Sequence, residues 1–240
     1  IFYFIEFILI KLFFFILKII GYKNGSNLGY FIGRFLGPIF RSRKLVNKNL
    51  DQSGVVDKTK YNKLVNKVYG NYGRILAEYP FLKEFRNNNL NKFIEIEGIE
   101  NLNKIKKDKK RAVFISGHFN NFELMALQIE KAGIELCTIY RPLNNIFLNS
   151  TMEEIRKKFI CKNQIRKGRS GTRQIIENLK KGRSVALMID QRVREGIKTN
   201  FFGKPATTTT IPAQLIKKYK CELVPIYIER ERKCYFKMFI

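Results

Sequence analysis

The sequence has no tryptophan, one histidine, four cysteines and six prolines, and its 20 acidic residues face 46 basic ones. Each shortage excludes something. A single histidine, His118, removes zinc sites built on several imidazoles, and Cys137, Cys161, Cys221 and Cys234 lie far apart with no C-x-x-C pair. The four read as reduced, buried thiols and not as a metal centre or a disulfide framework. No metal and no cofactor is expected. If histidine chemistry operates in this chain, His118 performs it. The shortage of acids leaves a formal charge of +26, which draws the chain to anionic surfaces without choosing between nucleic acid and phospholipid. The abundance of Lys, Asn, Ile and Phe is also what an AT-rich coding sequence produces, so part of that charge is compositional. A hydrophobic content of 45% excludes disorder over most of the chain, and 240 residues hold one core plus an appendage, not two ordinary domains. Because the chain begins at Ile1 and stops in a strand-like stretch at 236–240, it is read as a fragment at both ends.

What is abundant comes first in the chain. Residues 1–20 hold 17 apolar side chains interrupted by Glu6, Lys11 and Lys18. A helix of that length reaches about 30 Å, the thickness of a bilayer core, so this stretch is expected to be a hydrophobic membrane anchor helix that spans or lies obliquely in one leaflet. Lys11 and Lys18 share a face, and Lys18 can snorkel. No small-x-small cleavage site follows in 21–26, which argues against a signal peptide. Arg34, Arg41, Arg43, Lys44 and Lys48 lie just downstream and favour a cytoplasmic remainder under the positive-inside rule. Residues 21–90 are read as a helical, basic, membrane-proximal segment. Within it Gly29, Gly33 and Gly37 line one helix face and permit close helix approach, and apolar spacing predicts a further helix from 61 up to Pro80.

From residue 91 the pattern becomes short apolar runs alternating with amphipathic stretches. Strands are expected at 93–97, 112–116, 135–140, 184–189 and 223–228, and helices at 122–132, 146–159, 172–181 and 211–219. Strands separated by helices predict an α/β domain over 91–240, C-terminally incomplete, with a largely parallel central sheet flanked by helices. Sites in such sheets form where strands end. The strand at 112–116 runs into Gly117-His118-Phe119-Asn120-Asn121-Phe122-Glu123. His118 and Glu123 are five residues apart, which puts them on different sides of a continuous helix or strand, so they meet only across a turn. Gly117 can supply an unusual backbone angle, and Asn120 or Asn121 can cap the helix that follows. A neutral His118 beside a helix N-terminus suits a general base, and Glu123 could accept the other ring N–H and fix the tautomer. The plainer alternative has Glu123 closing a capping box with Asn120.

The stretch Ser116-Gly117-His118-Phe119-Asn120-Asn121-Phe122-Glu123 resembles the GHFGNWE-type box of the bacterial lipid A biosynthesis acyltransferases, the lauroyl and myristoyl transferases of the lysophospholipid acyltransferase superfamily. Ile139-Tyr140-Arg141-Pro142 is similar to the family's YRP stretch, Asp190-Gln191 to its DQ at a strand end, and Phe201-Phe202-Gly203-Lys204-Pro205-Ala206-Thr207 to its FFG-x-PA-T stretch. The chain departs from the pattern at Asn120, where Gly is frequent, at Phe122, where Trp is frequent, and after Leu50, where Asp-Gln-Ser-Gly replaces the usual Phe-Pro.

The resemblance implies a glycerolipid acyltransferase-like fold. It also implies transfer of a fatty acyl chain from an acyl carrier protein thioester to a hydroxyl of an anionic glycolipid, a lipid A precursor, with no covalent enzyme intermediate and no cofactor. His118 and Glu123 would be the base dyad. Asn121, Arg141, Asp190 and Gln191 would support substrate or transition state, with Arg141 on the oxyanion or a substrate phosphate and Asp190 orienting Arg141 or a substrate hydroxyl. Phe201 and Phe202 are acyl-pocket candidates. The expected location is the cytoplasmic side of a bacterial inner membrane. Basic clusters at 104–111 and 166–169 fit a phospholipid surface, an acidic carrier protein or nucleic acid. The apolar N-terminus and the absence of a nucleic-acid-binding motif speak against the last. A glycerolipid or mannoside acyltransferase would use the same dyad, whereas a non-enzymatic membrane or nucleic-acid binding protein would not need His118.

Overall fold

In the computed structural model, which describes residues 1–168 and 170–240, the first helix, α1 (Phe2–Phe40), is broken at Gly21, whose φ of 79° and ψ of 168° are non-helical. Arg169, the end of the second basic cluster, lies outside the described residues. The expected membrane-spanning helix is corrected here: no helix among the described residues is long and apolar enough to cross a membrane. Glu6, Lys11 and Lys18 charge the run at intervals, and Gly21 ends it. Glu6 is tied to protein, since its Oε2 accepts from Asn145 Nδ2 at 2.8 Å.

The chain divides into two compact units, one formed by Ile1–Ile10, Leu82–Ile197 and Thr207–Ile240, the other by Lys11–Phe81 and Lys198–Ala206. In the second unit, α1 is followed by α2 (Arg43–Ser53) and α3 (Tyr61–Glu78). The glycine repeat has a direct cause. A Cβ at Gly29 or Gly33 would collide with the backbone of Gly73 on α3, and one at Gly37 with the ring of Tyr69. Close approach then buries a polar chain. Arg74 Nη1 donates to Ser26 Oγ at 2.8 Å, Ser26 Oγ donates to Glu78 Oε1 at 2.7 Å, and Arg74 Nη2 donates to Asn27 Oδ1 at 3.0 Å. Buried polar groups must be paired, and these are.

The first unit continues with α4 (Leu82–Arg86), β1 (Ile94–Glu97), α5 (Ile99–Lys107), β2 (Ala112–Ser116), α6 (Glu123–Lys131) and β3 (Leu136–Tyr140). Then follow α7 (Ile146–Ile155), β4 (Asn163–Arg166), α8 (Gly171–Lys180), β5 (Ser184–Met188), α9 (Ile211–Tyr219), β8 (Glu222–Pro225), β9 (Tyr227–Arg232) and β10 (Tyr235–Phe239). Between β5 and α9, β6 (Ile197–Phe201) and β7 (Lys204–Thr208) pair, among the described residues, only with each other. The main sheet has the order β4-β3-β5-β2-β8, and every pair in it is parallel. A smaller sheet, β1-β10-β9, mixes one parallel and one antiparallel pair. The single strand expected at 223–228 is therefore two strands, and the chain passes from one sheet to the other at Ile226.

Alternation along the strands fills the core. Val113, Cys137, Ile165, Val185 and Leu187 meet Ile175 and Leu179 of α8 and Leu215 of α9. Burying such side chains is worth about 1.5–3 kcal/mol each. Arg111, the last residue of the first basic cluster, is structural: its Nη1 donates to Leu179 O at 3.2 Å and its Nη2 to Tyr219 O at 3.0 Å, so one guanidinium satisfies the end carbonyls of both α8 and α9.

Candidate active site

β2 and β5 are neighbours, with Ser116 in register with Met188, and the Ile189 N–H donates to Ser116 O at 2.8 Å. Each strand then runs two residues further, one to His118 and the other to Asp190. Parallel neighbours are about 4.8 Å apart, so this register places the two side chains together. Asp190 Oδ2 accepts the His118 backbone N–H at 2.9 Å, and His118 Nδ1 lies 2.8 Å from Asp190 Oδ1. An ionised carboxylate only accepts, so Nδ1 carries the hydrogen, and in the neutral ring the lone pair then stands on Nε2, the form a general base needs. The ring is fixed from its side by Phe122, with centroids 4.9 Å apart at 74°.

The turn that carries His118 differs in detail from the expectation. Gly117 is required by proximity and not by an unusual φ: a Cβ there would meet the Phe119 ring at 3.0 Å and Asp190 Cβ at 3.2 Å. The left-handed residue is Asn120, with φ of 44°. Asparagine tolerates that conformation better than most side chains, which explains how it stands where glycine is frequent. Its Nδ2 donates to Ile228 O at 3.0 Å. Neither asparagine caps α6 and no capping box forms, because the helix opens at Phe122 without a side-chain cap. Asn121 is buried beneath the turn.

Glu123 has a partner that the sequence did not disclose. Its Oε1 accepts from Arg156 Nε at 3.0 Å and from Nη2 at 2.7 Å, with side-chain exposures of only 9% for Glu123 and 16% for Arg156. Arg156 opens a π-helical turn, Arg156–Ile160, that continues α7. Such turns recur at functional sites. The orienting bond to the ring Nδ1–H that the sequence suggested for Glu123 is therefore made by Asp190, and Glu123 is held by Arg156.

Arg141 follows the end of β3 and is exposed, with no hydrogen bond or ion pair among the described residues. β5 separates β3 from β2, which puts about 10 Å between Arg141 and His118 at backbone level. Asp190 sits on the strand between them and serves His118, not Arg141. The loop that carries Arg141 is pinned. Tyr140 Oη donates to Glu153 Oε1 at 2.6 Å, Asn149 Nδ2 donates to the same oxygen at 2.7 Å, and the Leu143 N–H donates to Asn149 Oδ1 at 2.9 Å. Burial and the neighbouring Glu153 raise the Tyr140 hydroxyl above its ordinary pKa, while the bond from Tyr140 lowers the Glu153 carboxyl despite its partial burial. Asn145 closes the loop: Oδ1 accepts from the N–H groups of Phe147 and Leu148 at 3.1 and 3.2 Å, and Nδ2 donates to Tyr3 O at 2.8 Å.

Three further expected residues are exposed. Gln191 is exposed and makes no hydrogen bond among the described residues. Phe201 and Phe202, expected to line an acyl pocket, are 60% and 49% exposed at the tip of the β6–β7 hairpin. The four cysteines are free and buried, and burial pushes the thiols of Cys137 and Cys161 up to about 12, which leaves them protonated and unreactive. Among the described residues no group of three or more His, Cys, Asp or Glu side chains gathers that could hold a metal ion.

The site is thus a histidine whose tautomer is set by a strand-end aspartate, with an arginine-paired glutamate five residues further along the chain, at the carboxyl ends of a parallel sheet. No curated protein was found to match the chain. A family model described as bacterial lipid A biosynthesis acyltransferase matches residues 2–240, essentially the whole chain. The chain therefore belongs to the bacterial lipid A biosynthesis acyltransferase family and is an acyltransferase of that type.

Proposed function

We propose that the chain transfers a fatty acyl group from an acyl carrier protein thioester to a hydroxyl of a lipid A precursor, with His118 as general base. His118 Nε2 takes the hydroxyl proton as that oxygen attacks the thioester carbonyl carbon. The tetrahedral intermediate collapses with C–S cleavage, the ester forms, and the imidazolium returns its proton to the departing thiolate. General base catalysis of this kind contributes roughly 10²–10⁴. Asp190 holds the tautomer and stabilises the imidazolium, and Glu123, held by Arg156 at the start of α6, anchors the turn that carries His118. Arg141, about 10 Å away by strand spacing, suits an anionic group of the acceptor better than the oxyanion.

The observation that carries the reading is the His118–Asp190 pair, 2.8 Å apart, in a chain of this family. Membrane association, on the cytoplasmic side of the inner membrane, belongs to the same proposal. Phe2, Phe4, Ile5, Ile8 and Leu9 are exposed along the first turns of α1, which suits a helix lying in the bilayer surface. The test incubates the chain with an acyl carrier protein thioester and a lipid A precursor and weighs the products. The expected product is heavier by one acyl chain. Acylation of lysophospholipid or mannoside acceptors with none of the lipid A precursor would replace this acceptor by another.

A further inference from the structure

Among the described residues the β6–β7 hairpin pairs with no other strand, and its turn is made by Phe202 and Gly203 at φ of 49° and 73°. Two successive left-handed residues make the tight turn that suits a hairpin's twist, and Asn, Asp or Gly normally fill it. A phenylalanine there is a genuine outlier, because a bulky side chain disfavours positive φ. The fold thus keeps an aromatic ring at the position where local preference argues most strongly against one. The ring gains little inside the protein. Phe202 and its neighbour Phe201 are 49% and 60% exposed, and their rings pack edge to face on each other with centroids 4.5 Å apart.

The charge on the hairpin points the same way. Lys198 and Lys204 flank the tip, and no acidic residue occurs between Glu195 and Glu222. At about 3.3 Å per residue Lys198 lies roughly 10 Å back along β6 from Phe201, comparable to the depth to which interfacial segments bury their apolar side chains, and Lys204 stands across the turn from Phe201, where its flexible stem can carry the ammonium back toward the headgroups. Two exposed aromatic rings at a hairpin tip, with Lys198 and Lys204 beside them and a chain charge of +26, match an anionic bilayer surface.

We propose that Phe201 and Phe202 insert into the surface of an anionic phospholipid bilayer, with Lys198 and Lys204 at the level of the headgroups. The proposal rests on the membrane-association reading above and goes beyond it in naming the second element that touches lipid.

The absence of tryptophan makes the test direct, because Phe202→Trp carries the chain's sole indole. The probe is a vesicle of phosphatidylglycerol and phosphatidylethanolamine, with bromine-substituted phospholipids as quenchers. Expected are a blue shift of the emission on vesicle addition and quenching strongest by bromines near the headgroup. Phe201→Trp serves as the same reporter should Phe202→Trp fail to fold. An emission that is unshifted and unquenched while the protein sediments with vesicles overturns the hairpin's role and leaves membrane association through α1 standing. Failure to sediment at all overturns both. In parallel, Phe202→Gly relieves the positive φ, so its thermal midpoint should hold or rise while vesicle partitioning weakens roughly tenfold. Wild-type partitioning by folded Phe202→Gly contradicts the insertion.

Discussion

Replacing Arg156 by methionine isolates the buried pair that holds Glu123. The two side chains are 16% and 9% exposed, with two donors of one guanidinium on one carboxylate oxygen at 3.0 and 2.7 Å. Arg156→Met keeps the aliphatic length and strands a carboxylate in the interior. Breaking a buried pair from one side costs about 3–5 kcal/mol, and in a chain of this size each kcal/mol moves the thermal midpoint by about 2–4 °C. The midpoint should therefore fall by roughly 6–20 °C. Glu123→Gln keeps an acceptor oxygen and should cost less, about 1.5–3 kcal/mol. The double variant removes both charges and should recover part of the loss, giving a coupling energy that neither single variant explains. Calorimetry or circular dichroism melts of all four proteins supply the cycle. A wild-type midpoint in Arg156→Met, or strictly additive losses, would refute the pair as the anchor of the turn.

Asp190→Asn offers one acceptor oxygen where the carboxylate serves two N–H groups, so turnover should drop about 10²–10⁴-fold; the 39% exposure of Asp190 predicts a melting temperature close to wild type, and the two assays together check it. Asn145→Ala removes the cap of α7 and both bonds to α1, and chemical denaturation should show a loss of about 2 kcal/mol. The buried thiols should resist a disulfide reagent in the native chain and react on unfolding. Because burial raises Cys137 and Cys161 from an ordinary value of 9.0 to about 12, their neutral forms favour the folded state fully below pH 9, and that stabilisation is lost as pH climbs toward 12.

The parallel α/β domain was legible because apolar runs and amphipathic stretches alternate from Ala112 onward, and His118 and Glu123 were legible because they flank a strand-to-helix turn. Asp190 was legible as a strand end, yet its partner was not. The pairing depends on the register of Ser116 with Met188, which is set by tertiary packing, although a carboxylate two residues past one strand of a parallel sheet and a histidine two past its neighbour is a signal worth seeking. Arg156 lies 33 residues from Glu123 and was absorbed into an expected helix at 146–159, because the π turn leaves no mark in the apolar spacing. α5 was hidden by its lysines, though Leu102 and Ile105, three apart, are its buried stripe. β4 reads Asn-Gln-Ile-Arg and has one apolar residue from which to argue. The spanning helix failed for the opposite reason: seventeen apolar residues outweighed three charges in the reading, whereas a bilayer weighs each charge separately.

The central claim is that His118 removes the acceptor's proton. Single-turnover acyl transfer from the acyl carrier protein thioester to the lipid A precursor, measured for wild type and for His118→Ala at matched folded fraction, tests it most directly. The rate should be lower by about 10²–10⁴ with an unchanged melting temperature, since the His118 side chain is partly exposed and its backbone N–H still reaches Asp190. A wild-type rate in folded His118→Ala would contradict it.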